Sequence, residues 1–189
     1  MSTGLYVVLG VLVLAAIIVI VVYNGLVAGR QEVRNAWSQI DIQLKRRHDL
    51  IPNLVNSVKD AMQVEKSQLT AVISARNQAV AAKSPGESIQ AENALTGALR
   101  QLFALVESYP QLRSQQNVSS LMEELETTEN KISFARQHYN DAVQAQNIRV
   151  SSFPGVLLAS SFGFSAETMY QVPEAERAAA ETAPDVHLQ

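Results

Sequence analysis

Residues 121–142 read LMEELETTENKISFARQHYNDA. Leu121, Leu125, Thr128, Ile132, Ala135, Tyr139 and Ala142 follow one another in alternating steps of four and three. Such spacing lines one face of an α-helix, and a strict alternation of this kind is a packing seam of the coiled-coil type. A seam needs partners, because a single helix of this length is marginal in water.

The partners lie upstream. Leu95, Leu99, Leu102 and Val106 repeat the four-three step, as do Val33, Trp37, Ile40 and Leu44. The pattern resumes in Ile51, Leu54, Val58 and Met62, then in Leu69, Ile73 and Val80. Turn chemistry separates the stripes. Ser84-Pro85-Gly86 marks a break, and Ser84 with Glu87 forms a capping box for the next helix. Tyr109-Pro110 ends that helix, since the residue before proline is driven out of the helical region. A second box, Ser120 with Glu123, opens the last long helix. Pro52 lacks an N–H and crowds the preceding turn, so Asp49 is read as capping a new helix there. The alternative is one long kinked helix, because the stripe stays roughly in phase across the proline. The fold class is therefore all-α, with an antiparallel bundle of three or four long helices.

Ahead of the bundle, residues 5–23 are an unbroken apolar run, and no charged side chain precedes Arg30. As a helix the run is about 28 Å long at ~1.5 Å per residue, close to the ~30 Å hydrocarbon thickness. Tyr6 and Tyr23 near its ends suit the two membrane interfaces. A cleaved signal peptide is the rival reading. It is disfavoured by the absence of a leading Lys or Arg, the length of the run and the lack of a small-x-small site. A buried core helix is excluded by apolarity on every face. Arg30, Arg34, Lys45, Arg46 and Arg47 follow the run, against Glu32 and Asp41, so the positive-inside bias favours a cytoplasmic C-terminal domain. Gly4 and Gly10 are too far apart for a GxxxG pairing face.

The organisation expected is an anchor and juxtamembrane hinge over 1–29, a helical bundle over 30–150, an apolar segment over 151–173 and a tail over 174–189 without fixed structure. A net charge of −3 argues against a nucleic-acid partner, which needs a clustered basic face. With no cysteine there is no thiolate nucleophile and no thiolate metal site.

Four motifs, in order, carry a resemblance. They are Arg46-Arg47-His48-Asp49-Leu50-Ile51-Pro52-Asn53-Leu54-Val55, then Glu107-Ser108-Tyr109-Pro110-Gln111-Leu112-Arg113. Leu125-Glu126, Glu129-Asn130, Ile132, Ala135-Arg136 and Tyr139-Asn140 follow, and then Phe153-Pro154-Gly155 with Gly163-Phe164. With the anchor and Tyr23-Asn24, these resemble the LemA family over nearly the whole chain. The sequence departs from the family at Ala145, where an aromatic often stands, and at Met169-Tyr170. The resemblance implies a bacterial, membrane-anchored four-helix bundle. Members of that family are often encoded beside a membrane zinc metalloprotease, and relatives take part in magnetosome membrane formation.

Chemistry-bearing residues are sparse. His48, His138 and His187 lack the paired spacing of a helical zinc site, and no Glu-x-x-His occurs. His138 reads as a bundle-edge residue. Glu123, Glu124, Glu126 and Glu129 read as a solvated face rather than a metal site. Arg46-Arg47-His48 reads as a structural element at a helix junction, rather than a lipid or nucleic-acid contact. Glu107, Tyr109, Glu129 and Asn130 read as knitting the mid-domain turn to its neighbour. Trp37 reads as core.

Residues 153–164 are too short to span a bilayer and too apolar for water. The bland reading is a cap on the open end of the bundle. The sharper one is a contact surface for a second copy or the membrane interface, and Phe153, Val156, Leu157, Phe162 and Phe164 are its candidate residues. No catalytic, cofactor or metal residue is assigned. The function expected is a non-enzymatic, single-pass scaffold of the inner membrane, self-associating, with lipid, a second copy and a membrane metalloprotease as partners. The alternative is an adaptor or regulator of a membrane protease or of a membrane-remodelling assembly.

Overall fold

A computed structural model describes residues 3–61 and 66–171. Met62 and the tail over 174–189 lie outside the described residues. Among the described residues the chain is all-helical, with no strand. The helices are α1 (Thr3–Ala61), α2 (Lys66–Ala81), α3 (Pro85–Ser108), α4 (Pro110–Arg113), α5 (Gln116–Ser151) and α6 (Gly155–Ala159), followed by a 3₁₀ turn (Ser160–Phe162). They fall into two compact units, one within Met1–Ile42 and Ile132–Met169, the other within Gln43–Lys131 and Tyr170–Gln189.

Helix α1 is long and apolar enough at its N-terminal end to cross a membrane. Residues 5–21 are exposed along their whole length, and burial begins at Val22. The helix passes through residues 24–29 without interruption. Gly29 is buried there, and a Cβ on it would run into the side chains of Gln146 and Arg149. It serves close approach rather than bending.

The expected break at Pro52 is also absent, and α1 runs through it to Ala61. Proline at this position removes the donor that would pair with the His48 carbonyl one turn earlier. Arg76 Nε donates to that carbonyl instead, at 2.9 Å. The stripe therefore stays in phase, with Ile51, Leu54 and Val58 all buried.

In the first unit, α1 and α5 run antiparallel. The Leu26 carbonyl accepts from Gln146 Nε2 at 3.2 Å, while the Trp37 ring meets the Tyr139 ring edge-on at 5.3 Å. Val33, Ala36 and Ile40 are buried from one helix, and Ile132, Tyr139 and Ala142 from the other. Trp37 is only partly buried.

In the second unit, Ile51, Leu54 and Val58 of α1 join Leu69, Val72 and Ala79 of α2 in one core. Leu95, Leu99, Leu102 and Val106 of α3, Leu112 of α4 and Val118 and Leu125 of α5 complete it. Each fully buried leucine contributes about 1.5–3 kcal/mol relative to exposure. The stripe of α2 departs from the expected one, because Val80 is exposed and Val72 and Ala79 face inward. Ser84 caps α3 as expected, accepting from the Glu87 N–H at 3.3 Å, and α3 stops before Tyr109. The box at Ser120 does not open α5, which starts a turn earlier at Gln116. Val118, fully buried, draws that earlier turn into the core.

Candidate functional site

The stripe of α1 carries Ile40, Leu44, Arg47, Ile51, Leu54 and Val58 in alternating steps of four and three, so a guanidinium occupies a core position. Arg47 is 2% exposed. On α3, Glu92 stands three residues before Leu95 on the inward face and is 0% exposed. A buried charge is tolerated only when paired and hydrogen-bonded, and these two satisfy one another. Arg47 Nη1 lies 3.2 Å from Glu92 Oε2 and 3.2 Å from Glu129 Oε2, while Nη2 donates to Thr96 Oγ1 at 2.8 Å. The other oxygen of Glu92 accepts from His48 Nε2 at 2.5 Å. Arg46 turns outward and pairs with Glu124 at 2.6 Å.

Beside this network lies a groove of about 360 Å³, lined by Leu99, Arg100, Phe103, Met122 and Leu125 among others. Arg47 has its guanidinium committed to three partners, so its role is to hold α3 and α5 against α1. Among the described residues, no group of His, Asp and Glu is arranged to hold a metal ion.

This geometry changes three expectations. Arg46-Arg47-His48 lies within a continuous helix, not at a junction, and its anchoring carboxylate is Glu92. The glutamates of α5 are not purely a solvated face, because Glu124 and Glu129 reach the arginines of α1. The knot expected around Tyr109 is also different. Tyr109 and Asn130 are exposed, and Glu129 pairs with Arg47 instead. His138 does stand at an edge, 3.5 Å from Glu32, with both side chains more than half exposed.

The second feature lies in the first unit. After α5 the chain turns through a cis Phe153–Pro154 bond into α6. Gly155 is buried against Arg149, where a Cβ would collide with the Arg149 carbonyl. The 3₁₀ turn ends at Gly163, whose φ of 70° is the left-handed conformation that favours glycine. Phe164 N–H then donates back to the Ala159 carbonyl at 2.8 Å.

Arg30 fastens this segment by donating to the Gly163 carbonyl at 2.5 Å and covering the Phe164 ring at 4.0 Å. Further along, Asn147 clamps Glu167 through its carbonyl at 2.9 Å and its N–H at 2.8 Å. Tyr139 O–H donates to the Thr168 carbonyl at 2.9 Å. Burial, and then the nearby Glu167 charge, raises the Tyr139 phenol above its ordinary 10.0.

The five candidate residues separate here. Phe164 is 6% exposed and belongs to a small core with Leu26 and Ala159. Phe153 is 80% exposed, Leu157 65%, Val156 49% and Phe162 45%.

An apolar helix of membrane-spanning length, continuous with an all-helical domain whose interior chemistry is ion pairing, defines a class of membrane-associated helical proteins. The model described as LemA family matches residues 36–187, and the chain belongs to that family. Magnetosome protein MamQ 1 of Paramagnetospirillum magneticum is 26% identical, covering 79% of this chain and 64% of the relative. Magnetosome protein MamQ of Magnetospirillum gryphiswaldense is 23% identical, covering 75% of this chain and 62% of the relative. The chain thus spans less than two thirds of the length of these curated relatives.

Proposed function

We propose that the chain is a non-enzymatic, membrane-anchored helical scaffold that self-associates and presents its helices to partner proteins. One observation carries this reading: α1 is a single helix that holds both the membrane-length apolar run and the inward stripe of the helical domain. The side chains with chemical potential support it, because the buried arginine, histidine and glutamate are engaged in holding helices together. Confinement to a membrane raises the effective concentration of neighbouring copies, so even a weak contact between domains is populated. The basic residues after the run support a cytoplasmic domain.

A role in a membrane-remodelling assembly is the second reading, and the relatives named as magnetosome proteins favour it. Co-purification of the full-length protein from native membranes, with mass measurement in mild detergent, tests both. The expected result is an oligomer with stoichiometric membrane-protein partners. A monomer without partners overturns the scaffold reading.

A further inference from the structure

The antiparallel register of the first unit gives the apolar segment a definite depth. Gln146 of α5 is level with Leu26 of α1, and α5 ends five residues later at Ser151. The turn over 152–158 therefore reaches back toward the C-terminal end of the apolar run. The return path confirms the level. Phe162 packs on Tyr23 with ring centroids 5.1 Å apart, Phe164 lies 6.1 Å from the same ring, and Ala159 meets Leu26. Val22, the first residue of the run with any burial, packs on this cluster. From Tyr23 to Arg30 the helix rises about 10 Å, the scale of a headgroup region. The segment thus lies along α1 where the hydrocarbon gives way to water.

Its composition fits that depth. No ionisable side chain occurs between Arg149 and Glu167. Phe153, Val156 and Leu157 remain exposed. Isolated apolar residues on a surface need no explanation, but an uncharged cluster continuous with a membrane-spanning helix does. Arg30 stands on the watery side, tied to the Gly163 carbonyl, as cationic groups do at membrane boundaries.

We infer that the turn over 152–158 is a second membrane contact, with Phe153, Val156 and Leu157 inserted into the acyl-headgroup boundary of the same bilayer that α1 crosses. An apolar face in such a position sinks about 5–10 Å below the headgroups. The first unit is then held to the bilayer at two points, the span and this wedge. The inference rests on α1 being a membrane anchor, and the test separates the two.

The chain has no cysteine, so single labels are clean. Full-length Leu157→Cys, Val13→Cys and Phe134→Cys are each labelled with an environment-sensitive fluorophore and reconstituted in phosphatidylcholine vesicles. Lipids carrying a nitroxide near the headgroup or deep in the acyl chain serve as quenchers. Leu157 and Phe134 are both exposed, so neither replacement disturbs packing. The expected result is quenching of the Leu157 label chiefly by the shallow nitroxide, of the Val13 label chiefly by the deep one, and of the Phe134 label by neither. Quenching at Val13 with none at Leu157 overturns the wedge and leaves the anchor standing. An unquenched Leu157 label, together with disulfide cross-linking of two copies by the unlabelled Leu157→Cys protein, overturns it in favour of a subunit interface. An unquenched Val13 label removes the anchor, and the wedge falls with it.

Discussion

Arg76 Nε donates to the His48 carbonyl, the group that Pro52 deprives of its helical partner. A proline inside a helix costs about 3 kcal/mol or more, through the lost bond and the ring clash. Here a side chain from α2 restores the bond, and α1 continues to Ala61. Replacing Arg76 with Met keeps the apolar stem and leaves the carbonyl unpaired, at an expected loss of about 1–3 kcal/mol. In a Pro52→Ala background the new N–H supplies the bond, and the loss shrinks. A urea-unfolding double-mutant cycle in detergent measures the coupling. Additive effects contradict the repair.

The Arg47–Glu92 pair gives a second prediction. Glu92→Ala takes the buried carboxylate from Arg47, leaving it Thr96 and the part-exposed Glu129, and is expected to destabilise by about 3–5 kcal/mol. Arg47→Met with Glu92→Leu removes both charges and recovers most of that stability. Thermal melting of the full-length protein, followed by circular dichroism, compares both variants with the parent. A double variant no better than the single one argues against pairing as the role of these charges.

The phase of α5 gives a third. Leu125 is 3% exposed, so Leu125→Ala is expected to lose about 2–5 kcal/mol. Phe134, on the same helix, is 74% exposed, and Phe134→Ala is expected to stay within about 0.5 kcal/mol of the parent. The same melting experiment compares them. Equal losses would place the seam on the wrong face.

Tyr139 gives a pH prediction. Its pKa is raised in the folded state, so its contribution to stability is present below the ordinary 10.0 and is lost as pH rises through the higher folded value. Stability should therefore fall with alkaline pH beyond 10.0. Tyr139→Phe removes that dependence and loses about 1 kcal/mol at neutral pH, where the hydrogen bond to Thr168 disappears. Denaturant midpoints from pH 8 to 11.5 resolve the effect, and parallel curves for parent and variant would reject it.

Local signals carried most of the fold. The spacing of Leu125, Thr128, Ile132 and Tyr139 identified the buried face of α5, and Ser84 with Glu87 marked the start of α3. Where the reading missed, the deciding partner was remote in the chain. Pro52 reads as a break because Arg76, which repairs it, comes from another helix. Ser120 reads as a cap because nothing local says that Val118 is needed in the core. The buried network was half visible. Arg47 falls at a stripe position between Leu44 and Ile51, and Glu92 falls on the stripe of Leu95 and Leu99. One charge on each of two apolar faces is a signal for a buried pair, yet only the folded chain shows that they meet.

The unbroken passage of α1 through residues 24–29 has a mechanical meaning. With α1 as the membrane anchor proposed above and no swivel after its apolar run, tilt of that run becomes tilt of residues 24–42. A hydrophobic stretch relieves mismatch with a thinner membrane by leaning over, at fractions of a kcal/mol per Å of mismatch. On the proposed anchoring, bilayer thickness, set by lipid composition, acts as an angular input to residues 24–42.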